Sequence, residues 1–410
     1  MSRPTVPSDA RRARAAVSAL FLTNGALFAN LVPRYPGIKA DLALSNAAYG
    51  LAIIAFPTGA ILAGLAAATL VRRFGSARLA VAGTVLTAVG VLVAGLAPSL
   101  PAFVAAMFLA GSMDSITDVA QNSHGLRVQR LYGRSIINGF HAIWSMGAVL
   151  GGAMAAGALA LDLSRGVHLG VSALLFTAVA LTALRFSLPG PDPSRAEDPA
   201  VAGTGAVSRT GRHLALTVAA LVVIAVSGTL VEDAGATWAA VYLGGELGAP
   251  GTVAAAGLVA LVGAQFVGRV VGDRMVDRFG QRAVARTGGA ITAIGMGAAL
   301  LWPSVPGTIA GFAAAGFGVA TLVPAAMHAA DELPGLRAGT GVTVVSWLMR
   351  LGFLVSPPVV GFVADTVSLR AGLAVVPLAG LLTLALASVL AGRAPRATPA
   401  DTVARTTADA

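Results

Sequence analysis

The 410-residue chain has no cysteine, a single lysine (Lys39) and five histidines. Without cysteine there is no disulfide, no thiol nucleophile and no thiolate metal site. Charged residues make up only 11% of the sequence, against about 25% in an ordinary soluble domain. So little charge cannot cover a water-facing surface. With 56% hydrophobic residues, the chain reads as an integral membrane protein whose main partner is the lipid bilayer. The formal net charge of +10 does not point to nucleic acid, because the basic residues lie between apolar runs instead of clustering on one domain. There is no phosphate-binding Walker loop, no metal-ligand spacing and no nucleophile–base arrangement. No metal, cofactor or catalytic residue is therefore assigned, and the chain is not read as an enzyme.

A membrane helix needs about 20 apolar residues. Reading between helix breakers predicts twelve spans, at 15–33, 46–71, 77–97, 101–127, 135–160, 167–187, 214–243, 252–276, 283–302, 307–329, 339–364 and 369–391. The polar, basic start from Met1 to Arg14 resembles the beginning of a signal peptide. So many apolar runs follow it that the first is read as a retained span. The one long polar connection is 188–213, rich in Pro, Gly, Ser and charge, and it reads as a flexible linker. The expected organisation is a tail (1–14), a six-helix bundle (15–187), the linker, a second six-helix bundle (214–391) and a tail (392–410). An even span count puts both termini on one side. Of the 28 basic residues, 23 are assigned to the termini and to the loops after spans two, four, six, eight and ten. The opposite loops hold Arg34, Lys39, Arg165 and Arg370, and Arg350 falls inside a span. The excess of positive charge predicts that both termini are cytoplasmic.

Two segments recur at one offset. "VRRFG" ends at Gly75 and "VDRFG" at Gly280, and "PSLP" (98–101) returns as "PSVP" (303–306), both 205 residues later. Two matches at the same offset indicate a duplication, the pattern of transporters built from repeated bundles. "LVRRFGSAR" and "GDRMVDRFGQR" then resemble the loop motif of the major facilitator superfamily. The second copy keeps Asp277, Arg278, Gly280 and Arg282. The first keeps Arg73 and Gly75 but has Arg72 in place of the acid and Ala68 in place of the leading glycine. The resemblance implies a gating role for Arg73, Gly75, Asp277, Arg278 and Gly280, with the acid pairing with basic residues at the cytoplasmic mouth. The alternative is that these arginines only set orientation. Most of the chain, including "NLVPRYPGIKADLALSNAAYGL", "DVAQN", "GFHAIWSMG", "TWAAVYL" and "SLRAGLAV", looks like the bacterial permeases related to fucose permease. This implies an all-α, twelve-helix fold of two pseudo-symmetric bundles in the cytoplasmic (inner) membrane of a bacterium, acting as a monomer.

The stretch "GSMDSITDVAQNSHG" (111–125) puts unusual polarity into the fourth span. On a helix of 3.6 residues per turn, Gly111, Asp114, Asp118, Gln121, Asn122 and Gly125 share one stripe, and His124 lies off it. A charge at the bilayer centre costs about 2.5–3.5 kcal/mol even on the lenient insertion scale. Two aspartates there need water, a partner or a proton. Burial favours the neutral form of a carboxyl, so such a group can load and release a proton as access alternates. Asp118 and Asn122 match the Glu-x-x-x-Asn of the fucose-permease pattern, which implies proton coupling at Asp118, with Asp114 as a second candidate. A hydrogen bond that merely locks helices together is the competing reading. The family's first-span acid has no counterpart, because Ala29 stands in its place beside Asn30, and sugar recognition of that kind is not expected.

Other ionisable or polar residues fall inside spans. Glu232 and Asp233 are adjacent in span seven, point about 100° apart, and leave at most one easily facing a cavity; Glu232 is the choice. Trp238 and Tyr242 lie near the outer end of that span. Arg350 lies about 15 Å into span eleven, cannot shed its charge, and is read as either a counter-ion or a holder of an anionic group. His141 and Trp144 replace amides of the related pattern in span five. Gly147, Gly151 and Gly152 are expected to let helices approach closely. His328, Asp331 and Glu332 are assigned to interfacial solvation. The expected substrate-binding set is Asn24, Asn30, Asn122, His141, Trp144, Trp238, Gln265 and Arg350, and the proton-coupling set is Asp118, Glu232 and Asp114. Pro357 and Pro358 are expected to supply bending.

The expectation is a secondary transporter that moves a small-molecule substrate by alternating access. Proton symport of a polar or anionic solute comes first and proton-antiport efflux of a drug or natural product second. A membrane receptor that transports nothing comes third, disfavoured by the lack of any soluble domain.

Overall fold

The computed structural model of the protein describes residues 8–132, 136–190, 211–334 and 340–390. The linker expected at 188–213 and the tail expected at 392–410 lie almost wholly outside the described residues. Twelve helices among the described residues are long and apolar enough to cross a bilayer: α1 (Ser8–Asp41), α2 (Asn46–Phe74), α3 (Ser76–Gly95), α4 (Leu100–Tyr132), α5 (Gly139–Ala160), α6 (Arg165–Phe186), α7 (Leu214–Gly245), α8 (Gly251–Gly272), α9 (Gln281–Leu301), α10 (Val305–Ala330), α11 (Val344–Thr366) and α12 (Leu369–Val389). At 1.5 Å per residue, each is long enough to match a hydrocarbon core about 30 Å thick. Large apolar side chains such as Leu65, Leu174, Ile294 and Phe362 point outward, as the lipid-facing side of a membrane bundle requires. The segment expected as a tail is helical from Ser8 onward.

The duplication is visible in the backbone. Gly75 and Gly280 end α2 and the continuous helix that contains α8, at φ 81° and 82°. Both lie in the left-handed region that favours glycine. The preceding Arg73 and Arg278 lie over the rings of Phe74 and Phe279, each 5.3 Å from the centroid. At the opposite end, Arg165 pairs with Asp41, and Arg370, 205 positions later, donates to the carbonyls of Leu300 and Leu301. These two arginines were predicted only as loop charges. In the structure they staple helix ends.

With twelve spans, the start of α1 and the end of α12 lie at one end of the bundle, here called the near end. Around α1–α6, near-end packing stays inside the first half. Ala13, Val17 and Phe21 of α1 meet Val128 and Phe140, and Leu20 meets Val71, Val81 and Ala180. At the far end, one apolar cluster crosses between halves and joins Leu31, Tyr35 and Tyr49 to Trp238, Tyr242, Val360 and Leu373. Backbone contact seals it: a Cβ on Gly50 would lie 2.3 Å from the Pro357 carbonyl oxygen, and one on Gly361 would lie 2.3 Å from that of Asn46. Asp365 of α11 accepts from the backbone N–H groups of Asn46 and Ala47 at 2.9 and 2.7 Å, so it caps α2 from the opposite half. The seam between the halves is thus shut at the far end.

α11 is interrupted, but not at its prolines. Pro357 and Pro358 lie inside a continuous helical stretch, Leu351–Thr366. The break falls at Met349–Arg350. There Thr229 of α7 donates to the Met349 carbonyl at 2.7 Å. Gly352 allows this approach, since its Cβ would stand 2.1 Å from the Thr229 hydroxyl oxygen. The same carbonyl also accepts from the Gly352 amide at 3.0 Å, so it is satisfied from within α11 and from α7 at the break.

Candidate functional site

α1 and α5 are in backbone contact. A Cβ on Gly25, Gly147 or Gly151 would lie 2.1, 2.1 or 2.3 Å from a carbonyl oxygen of the other helix, whereas Gly152 faces Val259 of α8. This closeness lets Asn24 reach two neighbours. Its amide donates to Asp114 of α4 at 2.6 Å, and its carbonyl oxygen accepts from the Trp144 indole of α5 at 2.7 Å. One asparagine thereby fixes an acid and an aromatic on either side of it.

One turn along α4, Asp118 accepts from the Asn122 amide at 2.9 Å and from Gln121 at 3.4 Å. Its side chain is exposed, yet it does not point to lipid: it interacts electrostatically with His141 of α5 and, across the seam, with Arg350 of α11. His141 packs edge-on against Phe21, with ring centroids 5.2 Å apart, and interacts with Arg269 as well as Asp118. On the facing wall, Gln265 donates to Glu232 at 2.8 Å. Arg269 lies 3.7 Å from the same carboxylate and donates to Ser145 of α5 at 3.2 Å.

The structure therefore gathers Asn24, Asp114, Asp118, Asn122, His141, Trp144, Glu232, Gln265 and Arg350 around the seam. Arg350 sits at the break in α11 and makes no ion pair among the described residues. Glu232, one of its predicted counter-ions, is occupied by Gln265 and Arg269.

Two expected site residues, Asn30 and Trp238, are placed elsewhere. Asn30 is fully buried and bonds to His168 at 2.8 Å and to the Ala26 carbonyl at 2.9 Å. Arg34 completes that far-end network through His168. Trp238 is fully buried in the seal, edge-on to Tyr49 at 5.0 Å, and so neither lies in an interfacial belt nor faces the open seam. Gln121 shares the polar stripe of α4 but is buried. His124 lies off that stripe, as expected, and meets Ser76 and the Leu188 amide. Of the motif residues, Asp277 and Arg278 are exposed. Asp277 makes no ion pair among the described residues, so the expected latch is not engaged in this conformation.

Arg269 was missed by sequence reading. It was counted among the arginines of the loop after span eight. The helix around it runs Gly251–Phe279, which leaves Arg269 about ten residues, or roughly 15 Å, from its near end. The usable signal was its spacing of four from Gln265, which puts both on one helix face.

Twelve helices fit to cross a bilayer, repeated in two halves around a seam lined with ionisable groups and shut at one end, are the build of a membrane transport protein. Residues 17–275 and 233–408 match the family model of the Major Facilitator Superfamily. The chain belongs to that superfamily and is a multi-pass membrane transporter. It is 29% identical over 377 residues to the uncharacterized transporter y4wD of Sinorhizobium fredii, covering 91% of this chain and 97% of that one. In fold it resembles the nucleoside transporter NupG (TM-score 0.71, 11% identity, 93% of this chain and 99% of that one). It also resembles a D-xylose–proton symporter (TM-score 0.64, 16% identity, 92% and 96%).

Proposed function

We propose that the protein is a proton-coupled transporter of a small solute that carries an anionic group, and that symport is its mode. It would sit in a bacterial cytoplasmic membrane with the near end in the cytoplasm, so the conformation is open inward. The observation that carries this reading is the charge arrangement on the seam. Asp114, Asp118 and Glu232 are each held by amides and Glu232 also has Arg269, whereas the guanidinium of Arg350 makes no ion pair among the described residues. A guanidinium at membrane depth must be paired or wet, and its planar fork fits a carboxylate or phosphate. Arg350 then anchors the solute's anionic group, Asn24 and Trp144 bind its remaining surface, and Asp118 with His141 takes up the proton. The D-xylose–proton symporter of similar fold supports proton coupling as a use of this architecture. Export of an aromatic natural product is the second reading, favoured by the Trp144 indole held at the seam by Asn24.

Uptake into proteoliposomes under an imposed pH gradient tests the proposal. Asp118→Asn should still exchange solute but lose gradient-driven accumulation. If it accumulates solute as the native protein does, the coupling assignment is wrong. A thermal-shift screen against sugars, organic acids and antibiotics should find stabilising ligands among the organic acids, and Arg350→Gln should abolish the shift. Stabilisation by neutral antibiotics alone would favour export.

A further inference from the structure

Asp233 follows Glu232 in sequence but faces the seal instead of the seam. It is 8% exposed and one of its oxygens, Oδ2, has no hydrogen-bond partner. Its other oxygen accepts weakly from the Thr237 hydroxyl at 3.5 Å. Around it are Ser356 of α11, Tyr35 of α1 and Tyr49 of α2, both fully buried. The Tyr35 hydroxyl is likewise buried without a hydrogen-bond partner, and the Ser356 hydroxyl is close enough to act on the carboxyl. Tyr49 donates to the Thr237 carbonyl at 2.9 Å and meets the ring of Tyr35 at 5.9 Å and that of Trp238 at 5.0 Å. The acid thus sits in the contact between halves, near enough to two tyrosines of the first half to interact with them electrostatically. The titratable groups facing it are Glu232 on its own helix, Tyr35 and Tyr49. α11 contributes only a hydroxyl, and among the described residues no arginine, lysine or histidine acts on it.

A carboxylate buried without a cation or full hydrogen bonding costs several kcal/mol, whereas the neutral acid costs far less and also gains a donor. We propose that Asp233 is a proton-binding site of the far-end seal: the seal closes over the neutral acid, and the carboxylate forms only when the far end opens to water. In that step the Asp233 O–H bond breaks and the proton passes to the admitted water. Closure requires a proton from the same side. Because Glu232 and not Asp233 faces the open seam, this proton returns to the side it came from and is not transported. Low pH at the far side therefore favours the inward-open state. The inference rests on the alternating-access reading but does not need Asp118 to be the coupling site.

The absence of cysteine makes the test direct. Leu161→Cys and Trp302→Cys place spin labels on two exposed far-end positions, one in each half, 72% and 74% exposed. In lipid, the distance between labels should gain a longer population as pH rises. Asp233→Asn should hold the short distance at every pH, and Asp118→Asn should still gain the longer population as pH rises. A native protein that does not respond, or an Asp233→Asn protein that does, would overturn the proposal. Infrared spectroscopy gives a second readout. A protonated-carboxyl band should persist in an Asp114→Asn/Asp118→Asn background and vanish with Asp233→Asn. Asp233→Glu should shift that band instead of removing it, so an acid remains observable if Asp233→Asn does not fold. No such band in the double-variant background would refute the site.

Discussion

The far end and the near end of the seam use opposite materials. The far end is closed by glycine-to-carbonyl backbone contact, edge-on aromatics and one capping carboxylate. The near end keeps exposed arginines, Arg73 and Arg278, on each half's own turn. Backbone contact through small residues gives dense van der Waals packing, the main source of helix association where lipid is as apolar as leucine. Exposed like charges give none. The closed end thus depends on shape, and shape fails abruptly, while the open end depends on charge, which changes gradually.

That contrast orders the tests. The largest effect is expected from Gly361→Val, whose side chain would occupy the space of the Asn46 carbonyl. The far-end label distance should become long at all pH values and uptake should fall below detection. Asp365→Ala comes next. It removes two hydrogen bonds to a charged acceptor, each worth about 1 kcal/mol once its exposure is discounted, so the closed-to-open ratio should fall roughly 30-fold, read from the same labels. Arg350→Gln should leave that ratio unchanged but weaken solute binding at least about tenfold, measured by calorimetry. Arg269→Gln should cost only a few-fold in uptake, because its contact with Glu232 is long and half exposed and such pairs contribute about 0–1 kcal/mol. Asp277→Asn should leave the label distances of the inward-open state unaltered, since the acid makes no ion pair there. A large effect of Asp277→Asn would show that the near end is held by more than its solvated charges.

The sequence made the spans legible because lipid leaves little choice: backbone groups must be satisfied within each helix, and about 20 apolar residues must cover it. The same rule exposed Asp114, Asp118, Glu232 and Arg350, because ionisable groups at membrane depth are rare enough to stand out. Direction around a helix was less legible. Asn30 and Trp238 lie on the expected helices, but their faces turn toward His168 and Tyr49, partners that only the folded arrangement brings near. Arg269 was hidden by company, since Arg274, Arg278 and Arg282 follow it closely and it was counted with them although the expected span, 252–276, encloses it. The break in α11 carried no proline signal; it lies where Thr229, 120 positions away, meets the Met349 carbonyl.

The Asp365 cap also bears on how the far end can part. The first amides of α2 have their acceptor in the opposite half, on an exposed rim, so separation exchanges each of these bonds for one to water already at hand. The clasp is therefore electrostatic and wet, beside glycine contacts that are neither. Added salt, which screens an exposed charge, should loosen the clasp while leaving those contacts untouched.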